Sequence, residues 1–414
     1  MQICIFEDEN YSDFYPLTYS RPVYDLVCGI NTLREKISGT FPDHRLSLHC
    51  RKYLEEIVRT QNPGSDINKI TESSCLFING RILASSNLEK IFTQKEAGDR
   101  IFKNGNTIVA VKLSDENLKQ IGDKLNDTLS FETLSKLPTV NVNVEVINYV
   151  WELINENGNE IVKDIEYIKR GKANLSDLKK YNAVSFLNED EIFIDENVTI
   201  KPGVVIDATN GPVFIDKDAF IYPNAVIEGP VYIGKKSKIK SGAVIYENVS
   251  IGSVCKIGGE VEDAIILPYT NKQHAGFIGH SYLGGWVNLG ADTNCSDLKN
   301  NYSTIKVQLN GKTIDTGSQF LGVIIGDHSK SAINTMFNTG TIVGFSSNIF
   351  GAGFPEKYIP SFAWGGAEGI STYELDKSIK TAKIVMNRRN KDFLPADEKL
   401  FDNIFKLTSN ERND

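Results

Sequence analysis

Two of the five histidines of this chain lie in one polar segment, residues 271–307, which also holds one tryptophan and two tyrosines. They are His274 and His280, and several asparagines surround them. Imidazole binds and releases protons near neutral pH, so a positioned histidine suits general acid–base catalysis. Because polar clusters that interrupt a regular repeat are more often sites than cores, we expect chemistry in this segment.

Before this segment, isoleucine recurs at every sixth position, and this period indicates which structural elements precede it. Six is not a helical period, whereas short strands joined by tight turns place one inward side chain in each hexad. Stacked coils of such hexads bury a core only against each other, as solenoids do. The series has one nine-residue step near "DATNGP" and comprises Ile194, Ile200, Ile206, Ile215, Ile221, Ile227, Ile233, Ile239, Ile245, Ile251 and Ile257.

Hexapeptide repeats of this kind resemble the left-handed parallel β-helix, in which three hexads close one triangular coil. The hexads begin near Ile192, become irregular after about residue 260, and return in residues 324–344. We prefer this fold to a β-sandwich with coincidental spacing, because eleven isoleucines share the register. Segment 261–323 then either continues the coil less regularly or forms a loop outside it.

Three motifs in the irregular segment carry a second resemblance. "HSYLG", "VNLGADT" and "NNY" occur in that order, and "TGSQFLGVIIGDHSKSAINTMFNTGTIVG" follows them. They resemble the acyltransferase half of the bifunctional enzymes that make UDP-N-acetylglucosamine, and the archaeal sugar-1-phosphate relatives, over residues 190–350. The resemblance implies transfer of an acetyl group from acetyl-CoA to an amino-sugar 1-phosphate.

The resemblance also implies roles for individual residues. It makes His280 the candidate base, although the family histidine stands three residues before the tyrosine and His280 stands two before Tyr282, so His274 is the alternative. A second phosphate-binding lysine of the family falls near Glu262 and Asp263 and is missing. By family position, substrate-binding roles fall on Lys240, Tyr282, Asn288 and Lys306, and acetyl-CoA-binding roles fall on Ala291, Asn301 and Tyr302.

Two other interpretations of the histidines remain open. His280 could be a loop histidine with structural hydrogen bonds, in a protein that keeps the coil without the activity. Some left-handed β-helices bind zinc through three histidines of adjacent subunits, and His274, His280 and His328 would then be the candidate ligands.

Residues 1–185 are predicted to form an α/β domain with a helical connector. Strand-like segments such as "QICIF", "LSLHC" and "NTIVAVKL" alternate with helix-compatible segments, a pattern that indicates a largely parallel, Rossmann-like sheet. The motif "PLTYSRP", residues 16–22, resembles the sugar nucleotidyltransferases, which couple a sugar 1-phosphate to a nucleoside triphosphate with Mg²⁺.

The same half departs from that family at its phosphate loop. The Gly-rich loop, whose N–H groups would bind phosphates, is replaced by "EDEN", residues 7–10. The family lysine after "RP" is Val23, and the aspartate that holds the metal is replaced by Arg81. Either this half is a catalytically inactive scaffold, or it binds phosphates differently, through Arg21, Arg34, Lys36 and Arg81.

Composition excludes several classes of protein. The 41% hydrophobic and 24% charged residues are ordinary for a globular protein, and no apolar run approaches the length of a membrane span. A net charge of −8 argues against a nucleic-acid-binding protein. The acidic N-terminus does not resemble a signal peptide, and six cysteines without CxxC spacing indicate reduced thiols in the cytoplasm.

We therefore expect three regions: an α/β domain over 1–185, a β-helix over 186–350 and a helical tail over 351–414. In this class the active sites lie between neighbouring prisms, so a homotrimer is expected. The predicted function is an acetyltransferase in the β-helix, with acetyl-CoA as co-substrate, and a nucleotidyltransferase in the first domain, for cell-envelope precursors. The alternatives are a nucleotidyltransferase with a structural β-helix and a non-catalytic scaffold that binds a sugar nucleotide.

Overall fold

The structure is a computed structural model, and it describes residues 1–93, 98–121, 125, 127–131, 134–171 and 177–412. Its element order is an α/β domain, a long helix, a series of short parallel strands interrupted by one hairpin, and two C-terminal helices.

The first domain is a mixed sheet in the order β5-β4-β1-β6-β8-β7-β9. Strands β1, β4, β5 and β6 run parallel, and β8 is antiparallel to both of its neighbours. A separate two-stranded ribbon, β2–β3, follows the "PLTYSRP" segment. The strands are β1 Gln2–Phe6, β2 Val27–Cys28, β3 Asn31–Thr32, β4 Leu46–Leu48, β5 Asp66–Ile67, β6 Ser74–Asn79, β7 Arg100–Asn104, β8 Thr107–Ser114 and β9 Thr139–Asn141.

Two of the helices begin at residues that favour a helix start. Thr32 and Glu35 form a capping box at the start of the first helix, and Pro395 is the first residue of the last one. The α-helices are α1 Leu33–Gly39, α2 Glu55–Gln61, α3 Leu88–Thr93, α4 Asp115–Ile121, α5 Val150–Gly171, α6 Leu375–Asn387 and α7 Pro395–Leu407. Short 3₁₀ helices span Glu9–Phe14, Leu17–Tyr19, Val23–Asp25, Lys52–Leu54, Leu178–Lys180, Glu189–Glu191 and Ser409–Glu411.

From residue 185 the chain winds into a parallel β-helix with three faces. Face 1 contains β10 Ser185–Leu187, β13 Val205–Asp207, β16 Val226–Glu228, β19 Val244–Ile245, β25 Asn294–Cys295 and β30 Met336–Phe337. Face 2 contains β11 Ile192–Ile194, β14 Val213–Ile215, β17 Val231–Ile233, β20 Val249–Ile251, β28 Val323–Ile325, β31 Thr341–Val343 and β33 Tyr358–Ile359. Two longer strands, β22 Glu260–Ile266 and β24 Phe277–Leu283, bend from face 1 into face 2.

Face 3 closes the triangle. It contains β12 Thr199–Ile200, β15 Phe220–Ile221, β18 Lys238–Ile239, β21 Lys256–Ile257, β23 Asn271–Lys272, β29 Lys330–Ser331, β32 Asn348–Ile349, β34 Ala363–Gly366 and the antiparallel β35 Gly369–Thr372. Asn288 bridges β23 and β29 and so fills one rung of this face.

The hexads produce this coil because each face takes six residues. Val226 pairs with Val244, and Val231 pairs with Val249, so one regular coil takes eighteen residues. The coil in which Val205 pairs with Val226 is three residues longer, which is the inserted triplet. All eleven isoleucines of the series lie in the buried core of the prism. The predicted fold class, an α/β domain followed by a left-handed β-helix and C-terminal helices, is confirmed.

One corner of the prism carries an insertion. We call the corner between faces 1 and 2 the first corner; its residues in successive coils are Asn248, Asp263 and His280. In the next coil, residues 296–322 leave this corner and return to it. They include the antiparallel hairpin of β26 Lys306–Leu309 and β27 Lys312–Asp315. Segment 261–323 therefore both continues the coil and forms a loop outside it.

Face 2 is covered by the first domain. Helix α5 lies along this face, where Trp151 and Ile154 pack in one cluster with Ile265 and Ile324. Further along α5, Ile161 and other apolar residues pack on Phe193 and Phe214 of the first coils. The C-terminal helices join the core of the α/β domain, in a cluster that includes Leu400 and Phe401. The β-helix is thus fixed to the rest of the chain on one side.

The three predicted residue ranges stay a prediction, but parallel pairing extends beyond residue 350. Tyr358 pairs with Ile342, and Trp364 pairs with Asn348, so two more strands stack on the coil before the tail helices begin. The sequence signal was lost there because glycine, proline and aromatic residues replace the isoleucine hexads. In the described part of the chain, no helix is both long enough and apolar enough to cross a membrane.

Candidate active site

The candidate site lies at the first corner of the prism. Strand β24 bends there, and His280 adopts a φ of +42°, in the left-handed region that a tight corner requires. Asp263 occupies the same corner one coil earlier, also with a φ of +43°. The parallel pairing of β22 with β24 sets these two side chains beside each other.

Both ring nitrogens of His280 face carboxylates. Nδ1 lies 2.9 Å from Oδ2 of Asp297, which accepts the hydrogen bond. Nε2 lies 3.5 Å from Oδ2 of Asp263, whose other oxygen, Oδ1, accepts a hydrogen bond of 2.8 Å from the Asn248 side chain. The ring stacks on Phe320 with a centroid separation of 4.8 Å, and 18% of the His280 side chain stays exposed. The histidine is therefore oriented but still reachable.

The surroundings shift the pKa of each group at this corner. Burial alone would lower the pKa of His280, but the hydrogen bond that the ring donates to Asp297 and the charges of Asp263, Asp297 and Glu262 outweigh it, so the pKa is raised above 6.5. Burial raises the pKa of Asp263 and of Glu262, despite the opposing charge of His280. A carboxylate on Nδ1 fixes the tautomer in which Nε2 can accept a proton.

The insertion at the first corner supplies two of these partners. Asp297 stands at its start and Phe320 near its end, and an antiparallel bridge between Leu298 and Phe320 holds the two ends together. A side chain at Gly279 would come within 2.3 Å of Asp297, so the glycine lets the carboxylate approach. Asp297 and Phe320 were not among the residues predicted from the sequence. The one usable signal was the segment "SDLK", residues 296–299, which lengthens the loop between "VNLGADT" and "NNY".

Tyr282, predicted to bind the sugar, lies elsewhere. Its side chain is fully buried, and its hydroxyl both donates to the carbonyl of Val27 and accepts from the N–H of Val27. Tyr282 follows His280 by two residues and lies past the corner, on face 2. Because side chains alternate in direction along a strand, its side chain points outwards from this face, towards the first domain. In this geometry Tyr282 joins the β-helix to the segment around Val27, and its assignment to sugar binding stays a prediction.

The other predicted residues of the β-helix are dispersed. His274 is exposed on the turn before β24. Asn288 and Lys240 lie on or beside face 3, where the Lys240 ammonium stands 4.6 Å from the Tyr222 ring centroid. Neither residue is brought to His280 within one chain.

The residues predicted to bind acetyl-CoA follow the site along the chain. Ala291 is half-buried at the turn before β25. Asn301 and Tyr302 lie in the exposed loop that begins at Asp297, and the Asn301 side chain accepts from the N–H of Ser303. Tyr302 is 65% exposed. Lys306 is exposed at the start of the hairpin strand β26.

In the first domain, the segment that replaces the phosphate loop is occupied by internal ion pairs. The carboxylate of Glu7 is fully buried against Arg51, and it also accepts from the N–H of Val23. Asp8 forms a two-point pair with Arg81, at 3.0 Å from Nε and 2.6 Å from Nη2. Burial opposes ionisation of Asp8, but Arg81 outweighs it and lowers the pKa of the carboxyl below 3.8.

The cations predicted to bind phosphates are already paired. Arg81 is 1% exposed, Arg21 pairs with Asp327 of the β-helix, and Lys36 is held by Glu160 and Asp164 of α5. Arg34 pairs with Asp25. These contacts place Arg21 and Lys36 in interfaces between parts of the chain, and phosphate binding by these residues stays a prediction.

The residues around Asp8 do not fit Mg²⁺. Both carboxylate oxygens accept from the Arg81 guanidinium, and one also accepts from the Asn79 side chain at 2.9 Å, so a cation already occupies the position. Across the described residues, no group of three or more His, Cys, Asp or Glu side chains is arranged to hold a metal ion. His328 is buried beside Trp286 and Phe401, away from the first corner.

Comparisons with known proteins agree with the two resemblances. Residues 3–173 match the family model described as sugar nucleotidyl transferase, and residues 212–247 match the bacterial transferase hexapeptide model of six repeats. A bifunctional sugar-1-phosphate nucleotidylyltransferase/acetyltransferase of Sulfurisphaera tokodaii is 33% identical over 159 residues, 38% of this chain and 37% of the relative. The bifunctional protein GlmU of Methanocaldococcus jannaschii is 33% identical over 85 residues, 20% of this chain and 21% of the relative.

The matches to these curated relatives thus span well under half of their length. Among solved structures, LpxA of Bacteroides fragilis, a UDP-N-acetylglucosamine acyltransferase, is 18% identical and covers 53% of this chain and 94% of its own. Its TM-score of 0.29 is too low to support an argument about this protein.

Proposed function

We propose that this chain acetylates an amino-sugar 1-phosphate from acetyl-CoA. Its N-terminal part matches the sugar nucleotidyl transferases, and its middle part matches the transferase hexapeptides. The β-helix performs this reaction at the first corner. The observation that carries the proposal is the placement of the partly exposed His280 side chain between Asp297 and Asp263.

His280 takes the proton that the amine must lose. The substrate nitrogen attacks the thioester carbonyl of acetyl-CoA, the carbon–sulfur bond breaks, and CoA leaves as the thiolate. Nε2 accepts the proton from nitrogen and returns it to the sulfur, while Asp297 stabilises the imidazolium through Nδ1. Because Asp263 and Glu262 adjoin His280, this corner attracts the ammonium form of the amino group rather than the sugar phosphate.

The α/β domain is proposed to couple a sugar 1-phosphate to a nucleoside triphosphate. The family match over residues 3–173 supports this activity. The paired Glu7 and Asp8 favour a second candidate, in which this domain is a scaffold that no longer binds triphosphate. Release of pyrophosphate from UTP and a sugar 1-phosphate distinguishes the two, since only the active domain produces it.

The assembly and its setting belong to the same proposal. A homotrimer would let a neighbouring prism supply the phosphate and CoA contacts that one chain does not bring to His280. A cytoplasmic location, and a role in precursors of the cell envelope, follow from the proposed substrates. The six cysteines are free and buried, which is compatible with a reducing compartment.

The decisive experiment measures release of CoA by the full-length protein from acetyl-CoA and glucosamine 1-phosphate. We expect His280→Ala to lose roughly 10²–10⁴-fold in rate, the usual effect of removing a general base. His274→Ala is the matched control, because His274 is exposed on the turn before the site, and it should keep most of the activity. Turnover that survives in His280→Ala and is lost in His274→Ala would assign the base to His274 and refute this site.

A further inference from the structure

A second cavity lies on face 3, away from the first corner. The end of helix α6 covers part of this face and encloses about 290 Å³ against the coil. Four cations line it, Lys256 and Lys330 from the coil and Arg388 and Arg389 from the helix end. The described residues that line it include no aspartate or glutamate. Such a concentration of one charge is unusual in a chain with a net charge of −8.

Lys330 is the most buried of these cations. Its ammonium donates to the carbonyl of His328 at 2.7 Å, which uses one of its three donors. Burial lowers the pKa of Lys330 to about 8. A buried ammonium is costly unless an anion compensates it, and a backbone carbonyl supplies only part of a charge.

Lys256 has the same lack of compensation. Burial, and then repulsion from Arg389, Lys238, Lys240 and Arg388, lowers its pKa. Arg389 donates to the side-chain oxygen of Asn271 at 3.0 Å, so its guanidinium is held at the cavity by a neutral partner. Lys330 and Arg389 are therefore held at the cavity by neutral partners, although the positive charges around it repel each other.

A neighbouring cavity extends the positive surface. It has a volume of about 570 Å³, shares Arg388 and Arg389 with the first, and adds Lys235, Lys236 and Lys391. Its described lining also contains no carboxylate. The two cavities therefore adjoin at Arg388 and Arg389, and cations line both of them.

We propose that the face 3 cavity binds the phosphate group of a small phosphorylated molecule, through Lys330 and the two arginines that directly follow α6, Arg388 and Arg389. Guanidinium and ammonium groups together match phosphate oxygens, and the guanidinium fork can bind two of them at once. The amides of Asn271 and Asn288 at the same cavity suit hydroxyl groups, as a sugar or ribose would present. This site goes beyond the proposed acetyl transfer, because it does not include His280.

The test is titration calorimetry of the full-length protein with inorganic pyrophosphate at low salt. Wild type should bind pyrophosphate at one site. Lys330→Gln and Arg389→Gln should each lower the affinity of this site by about ten-fold or more, the loss expected for one charge-assisted contact. Lys380→Gln is the matched control, because it removes the same charge from an exposed position on α6. If pyrophosphate also binds the α/β domain, the variants should lose one of two sites.

Three results decide the question. Weaker binding in Arg388→Gln, whose exposed side chain can change without unfolding the protein, supports the proposal if Lys330→Gln proves unstable. Unchanged affinity for pyrophosphate in His280→Ala, whether or not the wild type transfers acetyl groups, shows that the site is separate from the proposed function. No pyrophosphate binding by wild type, or equal affinity in Lys330→Gln and Lys380→Gln, overturns it.

Discussion

At the scale of residues, the first corner is an acidic environment built around one histidine. Three carboxylates influence His280, and the one on Nδ1 comes from the insertion rather than from the coil. The raised pKa that results means that His280 is the free base only above its folded pKa. Activity that needs this base should therefore rise with pH through a value above 6.5.

Asp297→Asn tests the role of the carboxylate. Because Asp297 raises the pKa of His280, its removal should lower that pKa and move the acid limb of the pH–rate profile of CoA release to lower pH. The rate at the optimum should also fall, by roughly 10-fold or more, since the imidazolium loses its partner. An unshifted acid limb would contradict the assignment. Asp292→Asn, at an exposed turn, is the control.

The pair of Asp8 and Arg81 gives a prediction about stability. The folded pKa of Asp8 lies below its unfolded value, so the unfolded state binds more protons and the stabilisation is lost as pH falls through the folded pKa. Arg81→Ala should cost about 3–5 kcal/mol at pH 7, because it leaves a buried carboxylate without its partner.

Melting temperatures at pH 7 and at pH 3 would check this. The decrease in melting temperature caused by Arg81→Ala should be smaller at pH 3, where the Asp8 carboxyl is closer to neutral. Arg45→Ala, which breaks an exposed pair with Asp66, should have little effect at either pH. Equal losses for the two variants would show that the buried pair is not a main source of stability.

Part of this site was accessible from sequence. The motif around "HSYLG" identified His280 from its type and position, and the departure at Glu262 and Asp263 was visible as a missing lysine. Asp297 and Phe320 were not, because their approach depends on a loop that leaves the prism and returns to the same corner. Tyr282 and Lys36 contact another part of the chain and Arg81 pairs with Asp8, and none of these contacts is visible in the sequence that predicted ligand binding.

At the scale of elements, the hexad is a direct consequence of the coil. A triangular coil of eighteen residues needs one inward side chain at the same point of each face, so the isoleucine period predicted the fold from local information alone. Between residues 245 and 295 the coils are shorter, and β22 and β24 bend round the first corner. The period fails there although the coil continues, which explains why segment 261–323 was ambiguous.

Ile239→Ala tests the hexad core. Ile239 is fully buried in the prism, so its truncation should destabilise the protein by about 2–5 kcal/mol through lost burial and a cavity. Lys238→Ala, one residue earlier on the same strand, is the control, since that side chain is exposed. The measurement is the midpoint of urea unfolding followed by circular dichroism. Similar midpoints for the two variants would contradict an isoleucine core.

At the scale of the whole molecule, the two large parts share one interface. Face 2 of the prism is apolar on its outer side because α5 and the segment around Val27 cover it. Outward side chains of a solenoid face that meets water are usually polar. Leu267, Tyr282, Ile324 and Ile342 are instead buried between the parts.

A fragment of residues 177–412 should therefore behave poorly alone. Removing the first domain exposes the apolar side of face 2, and large exposed apolar patches promote association. We expect this fragment to bind a hydrophobic dye and to aggregate, while the full-length protein elutes as three copies of a 46.1 kDa chain. A monodisperse fragment with native circular dichroism would show that face 2 needs no cover.

Helix α5 runs along face 2 of the prism, and its length limits how related chains can differ in their number of coils. Its 22 residues span about 33 Å at 1.5 Å per residue, which is close to seven rungs of roughly 4.8 Å. On one rung, the Ser250 hydroxyl donates a hydrogen bond to the side-chain oxygen of Asn157 in the helix, which holds the helix and the rung in register. Gain or loss of one eighteen-residue coil under this helix would shift every later rung against it. During evolution, insertions in the coil should therefore be accompanied by helical turns gained or lost in α5.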